Sequence, residues 1–240
     1  MFLEQVQLVP PQKNLLRKVQ VYMRKFDKLE AYDTFHWKRI VGAETAGKYD
    51  MPVLKPCKDA EIESLIPFHM ITSFKGAADN TWFHFFIDDY QFERIWNRPD
   101  RYISILEKFK GGVSPDFSMY MDMPKSQQIW NCWRNRAMAY YLQTKMDNII
   151  PNACWGDTES LEWAFDGLPE NSVLALTTQG CLKSENECKQ ILVNGLHELI
   201  RAKHPTKLYV YGKFPEQWKD RFPVPIITLK SFSEERKVRC

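Results

Sequence analysis

Two runs of this 240-residue chain share one arrangement: GGVSPDF, from Gly111, and NIIPNACW, from Asn148. In each, an apolar stretch ends in proline and a polar residue follows, Asp116 in the first and Asn152 in the second, thirty-six positions apart. Proline cannot donate to a sheet ladder and holds the residue before it extended, so it ends strand pairing and leaves the next side chain at the strand's carboxyl edge. A third apolar run, TWFHFFI, ends in Asp88-Asp89. Two carboxylates brought within a few ångströms can hold a divalent cation such as Mg or Mn, or can divide into a general acid and a general base as one pKa rises. Asp116 with Asp88 or Asp89 is therefore the candidate catalytic set, and Asp88 with Asp116 the candidate metal pair. The competing reading makes each aspartate a helix N-cap or turn former, a common use of Asp after a strand.

Other residues fall near the same edge. Thr178 follows the apolar run SVLALT, and Lys213 follows KLYVYG. Ser118 lies two residues after Asp116, and Trp155 stands just past the Asn152 run, where its ring would stack on a base or simply pack in the core. On the long helical pattern after Pro124, Asn131, Arg134 and Asn135 share one face by three- and four-residue spacing. That face either meets solvent or reaches across loops toward the cleft. Arg134 and Lys213 are candidate phosphate ligands, the plainer alternative being surface cations. Ser118, Asn131, Arg134, Asn152, Trp155, Thr178 and Lys213 form the candidate ligand-binding set.

These side chains need elements to carry them. Strand patterns at 81–87, in GVSPD, in NIIPNACW, in SVLALTTQG, in KLYVYG and in PIITLKSF alternate with helical patterns. The helices are expected over Gln91 to Phe109, broken by Pro99 and stopped by Gly111-Gly112, then over Ser126 to Met146, in ESLEWAF up to Gly167, after the capping box Ser184-Glu-Asn-Glu187, and in PEQWKDRF. Five alternations with short connections require parallel strands joined by right-handed crossovers. The expected fold is α/β, a mostly parallel sheet of about six strands, either doubly wound or a partial (β/α) barrel. Residues 1–50 are read as a basic amphipathic helix from Gln12 to Glu30 with an irregular segment. Residues 51–230 form a single α/β domain, its early part supplying short strands, loops and a cover over one end of the sheet. Residues 231–240 are a charged tail.

Composition narrows the class. A charged fraction of 26% and a net charge of +3 are ordinary for a globular protein and neither demand nor exclude nucleic acid. MFLEQVQLVPPQ lacks the features of a signal peptide, and no apolar run is long enough to span a bilayer. The six cysteines make no CxxC pair or Cys/His metal spacing, which suits reduced thiols in a cytoplasmic protein. GAETAGK matches half of a phosphate-binding loop, but Tyr49 stands where Ser or Thr is required and Pro52 forbids the helix. His84, inside the first strand pattern, is read first as a core histidine.

In order along the chain, FHFFIDDYQFERIWNRPDRY, SPDFSMYMDMP, the Asn and Arg of NCWRNR, IIPNACW and SVLALTTQG resemble a family of bacterial, plasmid and bacteriophage proteins defined as domain of unknown function 4417. The resemblance covers roughly residues 50 to 215. It carries signature positions onto Asp88, Asp89, Phe92, Arg94, Pro115, Asp116, Phe117, Ser118, Asp122, Pro124, Asn131, Arg134, Pro151, Trp155 and Gly180. It supplies no reaction, and it implies a role in nucleic-acid metabolism or in conflict with a host. The expectation is thus an enzyme acting on a nucleotide or nucleic acid, a hydrolase using a metal or an acid/base pair. The alternative is a binding protein that sequesters a nucleotide, contacts DNA through the basic helix, or engages a host protein.

Overall fold

The computed structural model describes residues 36–181 and 186–231. The expected basic helix at 12–30, Ser184 of the capping box and nearly all of the charged tail lie outside the described residues. The chain divides into a unit up to Ala43 and a unit from Glu44 onward. The described part of the first is a single 3-10 turn, Trp37–Ile40.

The second unit opens with an antiparallel hairpin, β1 (Thr45–Ala46) and β2 (Met51–Pro52). Seven parallel strands follow: β3 (Ser64–Pro67), β4 (Thr81–His84), β5 (Gly111–Val113), β6 (Ile149–Ile150), β7 (Val173–Thr177), β8 (Lys207–Tyr211) and β9 (Ile226–Leu229). Between them run α1 (Asp89–Asn97), α2 (Asp100–Leu106), α3 (Lys125–Gln143), α4 (Asn186–Lys203) and the short α5 (Glu216–Lys219). ESLEWAF contributes a 3-10 turn, Glu159–Glu162.

Strands β3-β4-β5-β6 form one parallel ladder and β7-β8-β9 another. A parallel bridge between Asn152 and Ala175 joins them, with Ala175 N–H donating to Pro151 O at 3.0 Å and Ala153 N–H to Ala175 O at 2.8 Å. Strand order therefore follows chain order from β3 to β9. A doubly wound sheet needs a reversal of order, and there is none. Successive right-handed crossovers then place the helices on one face and the sheet curls around the other.

Side-chain contacts measure the curl. His84 on β4 lies 4.5 Å from the Tyr211 ring on β8, and Phe86 stacks on the same ring at 5.1 Å. In a flat sheet four strand spacings would hold them about 19 Å apart. The architecture is a partial (β/α) barrel, with no ladder between β9 and β3 among the described residues.

Period-two alternation divides each strand between two cores. Leu65, Trp82, Val113, Ile150, Val173, Ala175, Tyr209, Tyr211 and Leu229 meet inside the curl. Leu174, Leu176, Leu208, Val210 and Ile226 face outward and pack with Cys132 and Ala139 of α3 and with Leu192, Leu196 and Leu199 of α4. Residues 57–62 close the amino end of the barrel, as a cover. Tyr209 OH donates to Ala60 O at 2.8 Å, Trp82 Nε1 to Glu61 O at 3.0 Å, and Cys57 N–H to Ser172 Oγ at 2.9 Å. Gly112 sits within β5, where a Cβ would fall 2.1 Å from the Phe83 ring. Its glycine permits the close approach of an aromatic-rich neighbour strand, as well as ending the preceding helical pattern. The carboxyl ends of the strands thus face one mouth of the barrel, opposite the covered end.

Candidate functional site

Beyond that mouth, Asp116 and Asn152 meet. Ser114 N–H donates to Ile150 O at 2.9 Å as the last ladder bond of β5, and Pro115 stops the pairing. Asn152 leaves β6 after Pro151, and its side-chain Nδ2 donates to Asp116 Oδ1 at 2.7 Å. Its backbone N–H donates to Ser114 Oγ at 2.8 Å. Asn152 is fully buried, and its Oδ1 has no hydrogen-bond partner.

The Asp116 carboxyl opens on a pocket of about 460 Å³, whose walls include Ser118, Met119, Met121, Cys154, Trp155 and Gln179. Burial pushes its pKa from 3.8 up to about 7, and the nearby Asp89 carboxylate pushes the same way. The hydrogen bond from Asn152 and the nearby Cys154 thiol pull it down by less. A carboxyl that titrates near neutrality can accept and return a proton under physiological conditions.

The loop carrying Asp116 is held from below by α3. Asn135 reads the Phe117 backbone twice: its Oδ1 accepts from Phe117 N–H at 2.7 Å and its Nδ2 donates to Phe117 O at 3.1 Å. Asn131 Nδ2 donates to Ser118 O at 2.6 Å, and Arg134 Nη2 donates to Asn131 Oδ1 at 2.7 Å. The Arg134 guanidinium also pairs with Glu93 at 2.9 Å and lies 3.8 Å from the centre of the Phe117 ring. The shared polar face of Asn131, Arg134 and Asn135 therefore grips the loop backbone rather than meeting bulk solvent. Arg136, 1% exposed, donates to Asp166 O, Asn152 O and Ala164 O at 3.0, 3.1 and 2.6 Å, tying the β6 exit to the segment after the 3-10 turn.

The remaining sequence candidates distribute unevenly. Asp89 accepts from Ser118 N–H at 3.1 Å and Ser118 Oγ at 2.8 Å, so its carboxylate positions the loop. Asp88 is exposed, accepts from Gln91 Nε2 at 3.1 Å and lies outside the pocket wall. Among the described residues no group of three His, Cys, Asp or Glu side chains is arranged to hold a metal ion. Thr178 is buried and donates to Lys213 O at 2.6 Å, while the Lys213 side chain is exposed and outside the pocket wall. Arg134 is likewise outside that wall. Trp155 lines the pocket, packs edge-on against Phe165 at 5.6 Å and donates Nε1–H to Ile191 O at 3.3 Å. Gly195 of α4 makes room for its ring, since a Cβ there would fall 2.2 Å away. His84 is buried inside the barrel, and burial holds its pKa down to about 3, so it stays neutral and accepts from Phe86 N–H through Nδ1.

Sequence reasoning missed the sulfur-rich wall: Met119, Met121, Cys154, Cys181 and Cys188 all face the pocket. The alternating methionines of SMYMDM and the position of Cys154, two residues beyond Asn152, were the available signals. No helix among the described residues is long and apolar enough to cross a membrane.

Comparison with known proteins places relatives among bacteriophages. The Gene 1 protein of Mycobacterium phage L5 is 34% identical over 190 residues, 79% of this chain and 79% of that protein. The Gene 1 protein of Mycobacterium phage D29 is 31% identical over 190 residues, 79% of this chain and 67% of that protein. No solved structure matches. The family model described as Domain of unknown function (DUF4417) matches residues 43–230, which include every strand of the barrel and the whole described pocket wall, and the chain belongs to that family.

Proposed function

We propose that the protein binds a small ring-bearing molecule of nucleoside size at the carboxyl mouth of its partial barrel and acts on it by proton transfer through Asp116. One observation carries the reading: a carboxyl with a pKa of about 7 opens on a pocket of about 460 Å³. That volume is within the range of small-molecule sites. Met119, Met121, Ile191 and Leu192 supply apolar surface, Trp155 an aromatic wall, and Ser118, Thr177 and Gln179 hydrogen-bonding groups. This mixture suits a planar, polar-edged ring such as a nucleobase.

Among the described residues the wall includes Asp116 and Asp122 and no Lys, Arg or His. The chemistry therefore favours a nucleobase or nucleoside over a phosphorylated nucleotide or a nucleic-acid strand, since phosphate recognition relies on cationic donors. In the reaction Asp116, deprotonated, takes a proton from the bound molecule or from a water attacking it, and then returns it to the departing or rearranging atom. Asn152 holds the carboxyl in place, and Asp89, through Ser118, fixes the loop.

The test is a panel of nucleobases, nucleosides and nucleoside monophosphates, read by thermal shift for binding and by NMR for conversion. Binding of unphosphorylated members, with conversion abolished in Asp116→Asn while binding persists, supports the reading. Binding with no conversion by the wild type would make the pocket a sequestering site, and preference for the monophosphates would overturn the proposed ligand class.

A further inference from the structure

Cys154 stands in the same wall as Asp116 and is left unused by proton transfer alone. It leaves β6 two residues beyond Asn152, so one strand end supplies both the amide that orients Asp116 and the thiol beside it. Asn135 Nδ2 donates to Cys154 Sγ at 3.2 Å while its Oδ1 accepts from Phe117 N–H, which fixes the amide's orientation. The Cys154 thiol and the Asp116 carboxyl line the same pocket, near enough for the thiol to pull the carboxyl's pKa down. At rest the Cys154 thiol donates to Met119 Sδ at 3.6 Å. A sulfur nucleophile, an adjacent base, an amide donor aimed at the sulfur and an open cavity in front are the parts of a covalent-catalysis site.

We propose that Cys154 is a catalytic nucleophile that attacks an electrophilic sp2 carbon of the pocket ligand, with Asp116 as its base. This rests on the reading of Asp116 given above and extends it. In the step the S–H bond breaks and its proton passes to the Asp116 carboxylate as the S–C bond forms. The π electron pair of the attacked carbon moves to its conjugated neighbour or carbonyl oxygen. Asp116 then returns the proton to the atom that received the pair; after that atom has exchanged its proton with water, the two transfers run in reverse and release the sulfur. No oxidant or reductant is consumed. Asn135 Nδ2 stabilises the charge that develops on sulfur during the attack.

The arrangement also explains why the base is needed. Burial first, and then the neighbouring Asp116 charge, hold the Cys154 thiol well above its ordinary pKa of 9.0, so the resting group is a neutral thiol. Removal of its proton during attack, rather than before it, is the route open to such a group.

The experiment uses iodoacetamide as the probe, with alkylation of the full-length protein mapped by peptide mass spectrometry between pH 5 and 9. Cys181 and Cys188, in the same wall, serve as internal references. In the wild type, Cys154 alkylation is expected to rise as Asp116 ionises near pH 7. In Asp116→Asn it falls on the order of 100-fold at neutral pH, the scale of a lost general base. A rise in Asp116→Asn would show that the carboxylate only repels the thiolate, and would overturn the proposal, as would absence of Cys154 labelling in the wild type. Cys154→Ser separates the two levels: if it converts ligand at the wild-type rate while Asp116→Asn does not, the nucleophile falls and the proton-transfer reading stands.

Discussion

Replacing Asp116 by Asn separates the cost of the site from its use. Asn keeps the size of the side chain and an oxygen able to accept from Asn152 Nδ2 but cannot ionise. A folded-state pKa of about 7 against 3.8 for the free group means that the folded protein holds a proton which the unfolded chain releases as pH rises. The stability supplied by the protonated carboxyl is complete below pH 3.8 and drains away as pH rises to about 7. The full drain corresponds to about 4 kcal/mol at roughly 1.4 kcal/mol per pH unit. Between pH 5 and pH 8 the wild type should lose about 3 kcal/mol that Asp116→Asn does not lose. In a chain of this size that is roughly 6–12 °C in Tm. The assay is urea or thermal unfolding of both proteins across that pH range, read as their difference so that the other carboxylates cancel. A variant that gains nothing over the wild type between pH 5 and pH 8 would refute a carboxyl that protonates near neutrality.

Three further substitutions probe the scaffold. Asn135→Ala leaves Phe117 N–H and C=O without partners, so unfolding experiments should show a loss of about 2–4 kcal/mol together with weakened ligand binding. Arg136→Met strips donors from the carbonyls of Asn152, Ala164 and Asp166, and a loss of about 3 kcal/mol or more is expected in the same assay. Gly195→Ala drives a methyl into the Trp155 ring. Despite a helix-propensity gain of about 1 kcal/mol, it should destabilise by about 1–3 kcal/mol and change the tryptophan emission on ligand titration.

The sequence foretold six of the seven parallel strands because each of those is a short apolar run closed by proline, glycine or a polar pair. It did not reveal Ser64–Pro67 as a strand, since two apolar residues among prolines carry no period. Whether the sheet was open or curled depends on which strands neighbour one another, a long-range property. The alternation of large rings in Trp82-Phe83-His84 and Tyr209-Val210-Tyr211 was the local trace of an interior shared by distant strands. Gly111-Gly112 reads locally as a helix stop, and only the Phe83 ring against it explains why the pair also lies within a strand.

The site divides the same way. Proline followed by a polar residue located Asp116 and Asn152, which meet side chain to side chain, because strand termination is a local matter. The face shared by Asn131, Arg134 and Asn135 was equally legible from helical spacing. Its partner, the backbone of Phe117 and Ser118, was not, because backbone groups leave no mark in a sequence. Arg134 and Lys213 stand out as cations, yet the one is paired with Glu93 and the other is exposed and outside the pocket wall. Cys154 was passed over because cysteines without metal spacing read as core residues.

The central claim is that Asp116 exchanges its proton near neutral pH at the mouth of the barrel. Side-chain carboxyl carbon NMR of protein labelled at aspartate, titrated from pH 3 to 9 with Asp116→Asn for assignment, measures it directly. A single aspartate midpoint at about 7, absent from the variant, is the predicted result; an Asp116 midpoint near the ordinary 3.8 would contradict it.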